Sequence, residues 1–297
     1  MIRSLEARGF KVFAETTVSL ARLTICTGGA GTGKSTLLEA LAVLAEGATS
    51  IVDSTSAYLS SSNMGILRGK RSIGVEDPIV LVAELDQGGL QGELRMFEER
   101  SGAKLTKSNE SLGFECSSVS LDPRVVIEPS ADVAVPSIDS DGRGVASALA
   151  CLAERRSPLL DEIDRDVRRI VPWAARVSTT REAMKTGLRR SILVETVTGE
   201  TFGLAQAGDG LCLVVALLTV LCTAPTGRTI LVEDLGHGLD RSAAHALMEV
   251  LRNVIDARPD LQVIATTTST AIAEGVDPKD VRLFTLDARQ RARVTTG

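Results

Sequence analysis

The stretch that decides the fold is Gly28-Gly29-Ala30-Gly31-Thr32-Gly33-Lys34-Ser35. It stands between a β-prone run, Leu23-Thr24-Ile25-Cys26-Thr27, and a segment from Lys34 to Glu46 whose Leu37, Leu38, Leu41 and Leu44 recur at helical spacing. Gly47 is expected to close that helix. Every fixed position of the pattern GxxxxGK[ST] is filled, and at average composition a chain this long meets it by chance on the order of once in a hundred times. Glycines let the backbone turn so that successive N–H groups face inward, and the start of the following helix adds partial positive charge at the same point. Such a cradle suits the phosphates of ATP, with Gly28 through Ser35 and the adjoining Thr36 as the expected contacts. Lys34 brings a full charge to the β- and γ-phosphates, and the Ser35 hydroxyl is placed to ligate Mg²⁺.

A phosphate loop of this kind needs a second strand that ends in carboxylates. Thr229-Ile230-Leu231-Val232-Glu233-Asp234 supplies one. Glu233 is expected to hold Mg²⁺ through water, and Asp234 to act as general base or to position the attacking water. The same pair also reads as the start of a solvated turn continuing into Gly236-His237-Gly238.

Further along, Leu261-Gln262-Val263-Ile264-Ala265 and Ser191-Ile192-Leu193-Val194 have strand character, and a helix is expected from about Ser242 to Ala257. Continuous apolar runs alternating with helices indicate parallel strands covered on both faces. From about Pro78 to Val126, short β-prone stretches (Ile79 to Ala83, Glu93 to Phe97) are separated by Gln87-Gly88-Gly89 and Ser101-Gly102, which predicts antiparallel hairpins. The segment from Val145 to about Arg190 reads as helical, punctuated by Pro158 and Pro172. The fold class is thus α/β, a P-loop NTPase with a mixed central sheet, an antiparallel β subdomain and a helical lobe. One domain over 1–297 is expected: a nucleotide-binding core at 1–54 and 191–297, a β-hairpin region at 55–144 and a helical lobe at 145–190.

The 297 residues carry 33 Lys and Arg against 38 Asp and Glu, a formal charge of −5, which excludes a wholly basic nucleic-acid coat protein. Apolar residues make up 44%, enough for a sizeable core. Five cysteines lie far apart with no Cys/His ligand spacing and read as reduced thiols. The N-terminus lacks the layout of a signal peptide, and the longest apolar run, Leu211 to Cys222, falls short of the ~20 residues of a membrane span. A soluble, cytoplasmic protein without a membrane partner is expected. Between Arg165 and Arg190 stand eight basic residues (Arg165, Arg168, Arg169, Arg176, Arg181, Lys185, Arg189, Arg190) and two acids, Asp166 and Glu182. This is either a surface for DNA or an acidic partner, or a solvated helical face paired with acids such as Asp161 and Glu162. Asp139-Ser140-Asp141-Gly142 reads as a turn, and Trp173 as a core residue. His237 and His245 lie too far from any Cys/His cluster for zinc.

At this point the chain resembles the ABC-type ATPase heads of the SMC/RecF kind, in particular compact prokaryotic forms without a coiled-coil arm. The resemblance is carried by Ile2-Arg3-Ser4-Leu5 through Phe10-Lys11-Val12-Phe13, by the phosphate loop with Leu37-Leu38-Glu39-Ala40-Leu41, and by Asp139 to Gly142 and Ile170-Val171-Pro172 in the middle. It implies that Gly208-Asp209-Gly210, followed by Leu211 to Leu221, corresponds to the family's signature turn, which contacts the γ-phosphate of ATP held by the opposite subunit. It further implies a head-to-tail homodimer with ATP at the interface, whose partner surface includes Leu235-Gly236-His237-Gly238-Leu239-Asp240. A DNA substrate or a separately encoded effector, in repair or anti-phage defence, is the implied partner.

Three positions depart from the family pattern. Gly208 replaces the signature serine, Asp234 replaces a glutamate, and Thr268 in Thr266-Thr267-Thr268-Ser269 stands where the family has its switch histidine. Threonine can hydrogen-bond a phosphate or water but carries no imidazole. Slow ATP hydrolysis is therefore expected, or a regulatory subunit that binds ATP without turnover. A P-loop kinase acting on a small molecule fits less well, because the residues after the second carboxylate resemble dimer-facing elements.

Overall fold

The computed structural model describes residues 1–49, 79–86, 91–99, 102–107, 115–185 and 187–297. Two antiparallel strands, β1 (Ile2–Phe10) and β2 (Phe13–Ser19), open the chain and are followed by β3 (Leu23–Gly28). Leu23, Thr24, Ile25 and Cys26 are buried in succession, as in a strand covered on both faces. Helix α1 (Lys34–Thr49) begins at the loop's lysine and runs through Gly47, so that glycine does not end it. An interior glycine costs about 1 kcal/mol relative to alanine. The burial of Leu37, Leu41 and Leu44 on the same helix outweighs that.

Strands β4 (Ile79–Leu85), β5 (Gln91–Glu99) and β6 (Gly102–Lys107) pair antiparallel in sequence, as the hairpin reading anticipated. Pro78, where that stretch was taken to begin, and the separators Gln87-Gly88-Gly89 and Ser101 lie outside the described residues, as do residues 55–77 of the expected hairpin region. Strand β7 (Glu115–Val119) corrects the boundary drawn there: it pairs in parallel with a later core strand, not with the hairpins. At the edge of the core sheet, a strand with only Val119 buried needs little apolar pattern, so nothing in its composition marked it.

After α2 (Pro123–Val126), capped by the Asp122 carboxylate accepting from Arg124 N, come β8 (Ser130–Ala131), α3 (Val145–Glu154) and α4 (Pro158–Ile170). Helix then stops. Residues 174–196 form a long hairpin, β9 (Ala174–Met184) and β10 (Gly187–Thr196), where a helical lobe to about Arg190 was expected. Pro172 disfavours helix in the residue before it, and Val177, Thr179, Thr180, Ile192 and Val194 are β-branched. Trp173 is 40% exposed, also against expectation. It stands beyond the end of α4 with its ring 6.0 Å from that of Phe202, so only one side is covered.

The chain returns through β11 (Thr201–Gly203), α5 (Asp209–Thr223), β12 (Arg228–Val232), α6 (Arg241–Ala257), β13 (Gln262–Thr266), α7 (Thr270–Glu274), β14 (Val281–Leu286) and β15 (Ala292–Thr296). The central sheet has the order β15-β14-β3-β13-β12-β7, parallel except for β15. The twofold alternation of strands divides its side chains between two cores. Ile230, Val232, Val263 and Ala265 pack toward α5 and α6, whereas Leu231 and Ile264 pack toward α1. Parallel pairing also brings the C-terminal ends of β3, β13, β12 and β7 to one edge of the sheet.

Candidate nucleotide-binding site

The loop from Gly28 to Ser35 leaves the sheet at that edge. Gly28 is required there: its φ is +139°, and a Cβ would lie 2.2 Å from the carbonyl oxygen of Phe284 on β14. The Thr32 hydroxyl donates to Gly29 O at 2.8 Å, closing the turn on itself. Lys34 is 8% exposed, and its Nζ donates to Gly28 O at 2.9 Å and Gly29 O at 2.8 Å, so the ammonium is held across the loop at the head of α1. Ser35, one residue on, is exposed.

The carboxylates are positioned by the strands on either side. Glu233 N donates to Val119 O of β7 at 2.8 Å, and Leu235 N donates to Thr266 O of β13 at 2.8 Å. Between them, Asp234 takes a left-handed conformation with φ of 56°, its N–H donating to Thr266 Oγ1 at 3.0 Å. Aspartate tolerates that region better than most residues, and strain of this kind persists where neighbours over-determine it. Thr267 supplies part of the frame, its N–H donating to Cys26 O (2.9 Å) and its hydroxyl to Leu235 O (2.8 Å). Thr268 Oγ1 donates to Asp234 Oδ1 at 3.4 Å, so residues 34 positions apart in sequence meet at one carboxylate.

Ser35 and Glu233 line a single cavity of about 330 Å³ together with Glu39, Ser118, Ser120 and Ser140. A hydroxyl and a carboxylate facing one space form the hard-oxygen donor set that Mg²⁺ accepts while keeping waters and phosphates as its other ligands. The residues present therefore fit the ion. The serines were not singled out in the sequence. Ser118 comes from the unmarked edge strand, Ser120 from the residue that follows it, and Ser140 from the Asp139 to Gly142 turn, which is docked there by Ser120 N donating to Ser140 O at 2.8 Å. His237, set aside as a zinc ligand and placed by the resemblance on the partner-facing turn, has its Nδ1 3.7 Å from Asp234 Oδ2. Only its closeness to the acidic pair could have indicated this.

Gly208 caps α5 with φ of +84°, and both Gly208 and Asp209 are exposed. A Cβ on Gly210 would lie 2.5 Å from Gly238 O, so the start of α5 and the turn after the carboxylates touch backbone to backbone. A second cavity, of about 500 Å³, lies between them, lined by Gly210, Leu213, Leu217, Glu233, Asp234 and His237 among others. Residues 208–210 do not line the cavity beside Ser35.

Burial pushes the thiols of Cys26, Cys116 and Cys222 up to about 12 and that of Cys212 to about 11, so all four are poor nucleophiles at neutral pH. The basic stretch is divided between α4 and the hairpin and is largely paired. Asp166 lies near Arg165 and Arg169, Asp164 near Arg176, and Asp132 and Glu154 near both Arg181 and Arg190. Among the described residues, no helix is long and apolar enough to cross a membrane.

The family described as "AAA domain, putative AbiEii toxin, Type IV TA system" matches residues 121–274, more than half of the chain. No curated protein matches. Among solved structures, an SMC head bound to the C-terminal winged-helix domain of ScpA is similar with a TM-score of 0.65 at 13% identity, over 99% of this chain and 97% of that one. The SMC head domain from Thermotoga maritima has a TM-score of 0.55 at 11% identity, over 100% and 98%. An SMC head with an extended coiled coil, bound to the C-terminal domain of ScpA and derived from Pyrococcus furiosus, has a TM-score of 0.58 at 12% identity, over 100% and 96%. The α/β architecture with its mixed central sheet is thus that of an SMC/RecF-like ABC-type head, and the chain belongs to this AAA domain family of P-loop ATPases.

Proposed function

We propose that the protein is a nucleotide-driven dimerisation switch that binds ATP with Mg²⁺ and hydrolyses it slowly. The observation that carries this reading is the separation of two half-sites on one chain. Ser35 and Glu233 line one space beside the head of the helix that Lys34 begins, while the Gly208-Asp209-Gly210 turn, exposed at its first two residues, lies outside it with Gly210 against Gly238. A second copy placed head to tail would bring its turn to the first copy's triphosphate, burying Asp234 and Thr268 on the way. The whole chain then acts as one ATPase unit.

In this reading the loop amides, the start of α1 and Lys34 bind the β- and γ-phosphates. Ser35 and Glu233 hold Mg²⁺, which when bound neutralises charge on the phosphate oxygens. Asp234 accepts a proton from the attacking water or orients it, and Thr268 orients Asp234. The signature turn offers amides and a helix start but no hydroxyl. Loss of one such donor costs about 2.7–4 kcal/mol in a transition state, a factor of 10² to 10³, which makes turnover slow. The family's printed description, "putative AbiEii toxin, Type IV TA system", supports a defence role, and a separate effector or DNA as its partner rests on the resemblance to SMC/RecF-like heads.

Phosphate release by wild type and Asp234→Asn, together with chromatography with and without ATP·Mg²⁺, tests the proposal. Wild-type release that falls about 10²-fold or more in the variant, with nucleotide-dependent dimers in both, supports a hydrolysing switch. No release from either, with dimerisation kept, identifies a non-hydrolysing regulatory subunit. A chain that stays monomeric with ATP contradicts both.

A further inference from the structure

The turn that follows the carboxylates is fixed along its length. Leu235 O accepts from the Thr267 hydroxyl at 2.8 Å, and the amides of His237 and Leu239 donate to Asp234 O and Gly236 O, each at 3.2 Å. Gly236 and Gly238 have φ of +81° and +72°, and a Cβ on Gly236 would lie 2.5 Å from Ile272 Cγ1 of α7. His237 stands between these glycines, on backbone with little freedom, while its side chain is 59% exposed. That side chain turns back over Asp234, its Nδ1 being 3.7 Å from Oδ2.

Asp234 is itself half exposed, and its carboxylate has one hydrogen bond among the described residues, from the Thr268 hydroxyl to Oδ1 at 3.4 Å. A single long bond leaves a carboxylate free to rotate, and a group that orients a water is effective only when its plane is fixed. Oδ2 is the atom left to fix. Both residues line the cavity of about 500 Å³, and its described lining holds the carboxylates of Asp122, Asp141, Glu233 and Asp234 but no lysine or arginine. His237 is the one side chain among them with an N–H to donate. Asp122 and Asp141 already accept from the amides of Arg124 and Arg143. The carboxylate beside the imidazole is that of Asp234.

We propose that His237 is a positioning residue for ATP hydrolysis: its Nδ1–H donates to Asp234 Oδ2 and, with Thr268 on Oδ1, fixes the plane of the carboxylate that orients the attacking water. A carboxylate offers about four lone-pair directions, so two such donors leave room for the water. At 3.7 Å the pair is just outside hydrogen-bond reach, and contacts of this kind commonly tighten as substrate closes a site. The half-exposed side chains have the freedom to do so, while the turn between them does not. The inference deepens the proposed hydrolysis and rests on Asp234 as the residue that meets the water.

Steady-state phosphate release from ATP·Mg²⁺ by wild type, His237→Leu and His237→Asn tests it, with chromatography of each protein in the same nucleotide. Leucine fills the space of the imidazole without a donor, whereas the asparagine Nδ2 lies close to the place of Nδ1. We expect His237→Leu to lower kcat roughly tenfold or more, with KM for ATP within about twofold of wild type. His237→Asn should restore kcat to within about threefold of wild type, and all three proteins should form the same nucleotide-dependent dimers. Equal losses in the leucine and asparagine variants, or a loss confined to KM, would overturn the inference. So would a loss of dimers with turnover per dimer unchanged, which would make His237 an interface residue. A wild type that turns over and is indifferent to His237→Leu overturns this inference alone, whereas a wild type that releases no phosphate overturns it together with the hydrolysing switch.

Discussion

The central sheet and the β9–β10 hairpin are held by different forces. Strands β3, β12 and β13 are buried on both faces, and their ends are tied by backbone amides to neighbouring strands. The hairpin is apolar on one face near its base, where Val177, Ile192 and Val194 are buried. Farther out it is clasped by Arg190, whose guanidinium reaches Asp132 and Glu154, and by Ser147 donating to Ala131 O. A site that must keep loop and carboxylates in register is built on the first kind of structure. The second kind rests on a few charged contacts and leaves one edge of β9 without a described strand partner.

The largest effect that would sharpen this contrast is at Gly28. Gly28→Ala puts a Cβ against the Phe284 carbonyl at a φ that alanine rarely adopts, and we expect a loss of about 3 kcal/mol. Calorimetry should show Tm lower by roughly 6–12 °C, with ATP binding lost. A stable, ATP-binding variant would break the claim that the sheet sets the loop. Next, Asp132→Asn leaves the buried Arg190 guanidinium short of a charged acceptor. Tm should fall by a few degrees while ATP affinity stays within twofold of wild type. Matching losses of affinity and stability would show that the two regions are one cooperative unit.

The clasp also has a pH signature. Arg190 holds the Asp132 carboxyl below the usual carboxylate range. Its contribution is therefore present above the unfolded pKa near 4 and lost as pH falls through the lower folded value. The stability difference between wild type and Asp132→Asn, from urea midpoints followed by Trp173 emission, should be constant from pH 8 to 5 and shrink below about pH 4. The smallest effect concerns the thiols. With pKa values of about 11–12, Cys26, Cys116, Cys212 and Cys222 have thiolate fractions on the order of 10⁻³ to 10⁻⁴ at pH 8. They should react with a disulfide reagent only after unfolding.

How legible each region is in the sequence follows from the same contrast. Runs such as Thr229 to Val232 and Leu261 to Ala265 declare a parallel core because burial on both faces leaves room only for apolar residues. Glycine at fixed steps declares the phosphate loop because the backbone conformation excludes a side chain. The hairpin was hidden because Arg176, Arg181, Lys185 and Arg189 sit among residues of strand spacing, and Asp132 and Glu154, which pair with Arg181 and Arg190, are dozens of positions away. The serines around Ser35 and Glu233 were hidden for a related reason. They arrive through an edge strand and a turn whose composition is shared by many loops.

The most direct test of the account is a calorimetric titration of ATP·Mg²⁺ into wild type and Lys34→Ala. We expect wild type to bind one nucleotide per chain and the variant to bind about 100-fold or more weakly, with its Tm little changed. Equal affinity in the two proteins would show that the triphosphate is not held by the Gly28–Ser35 loop.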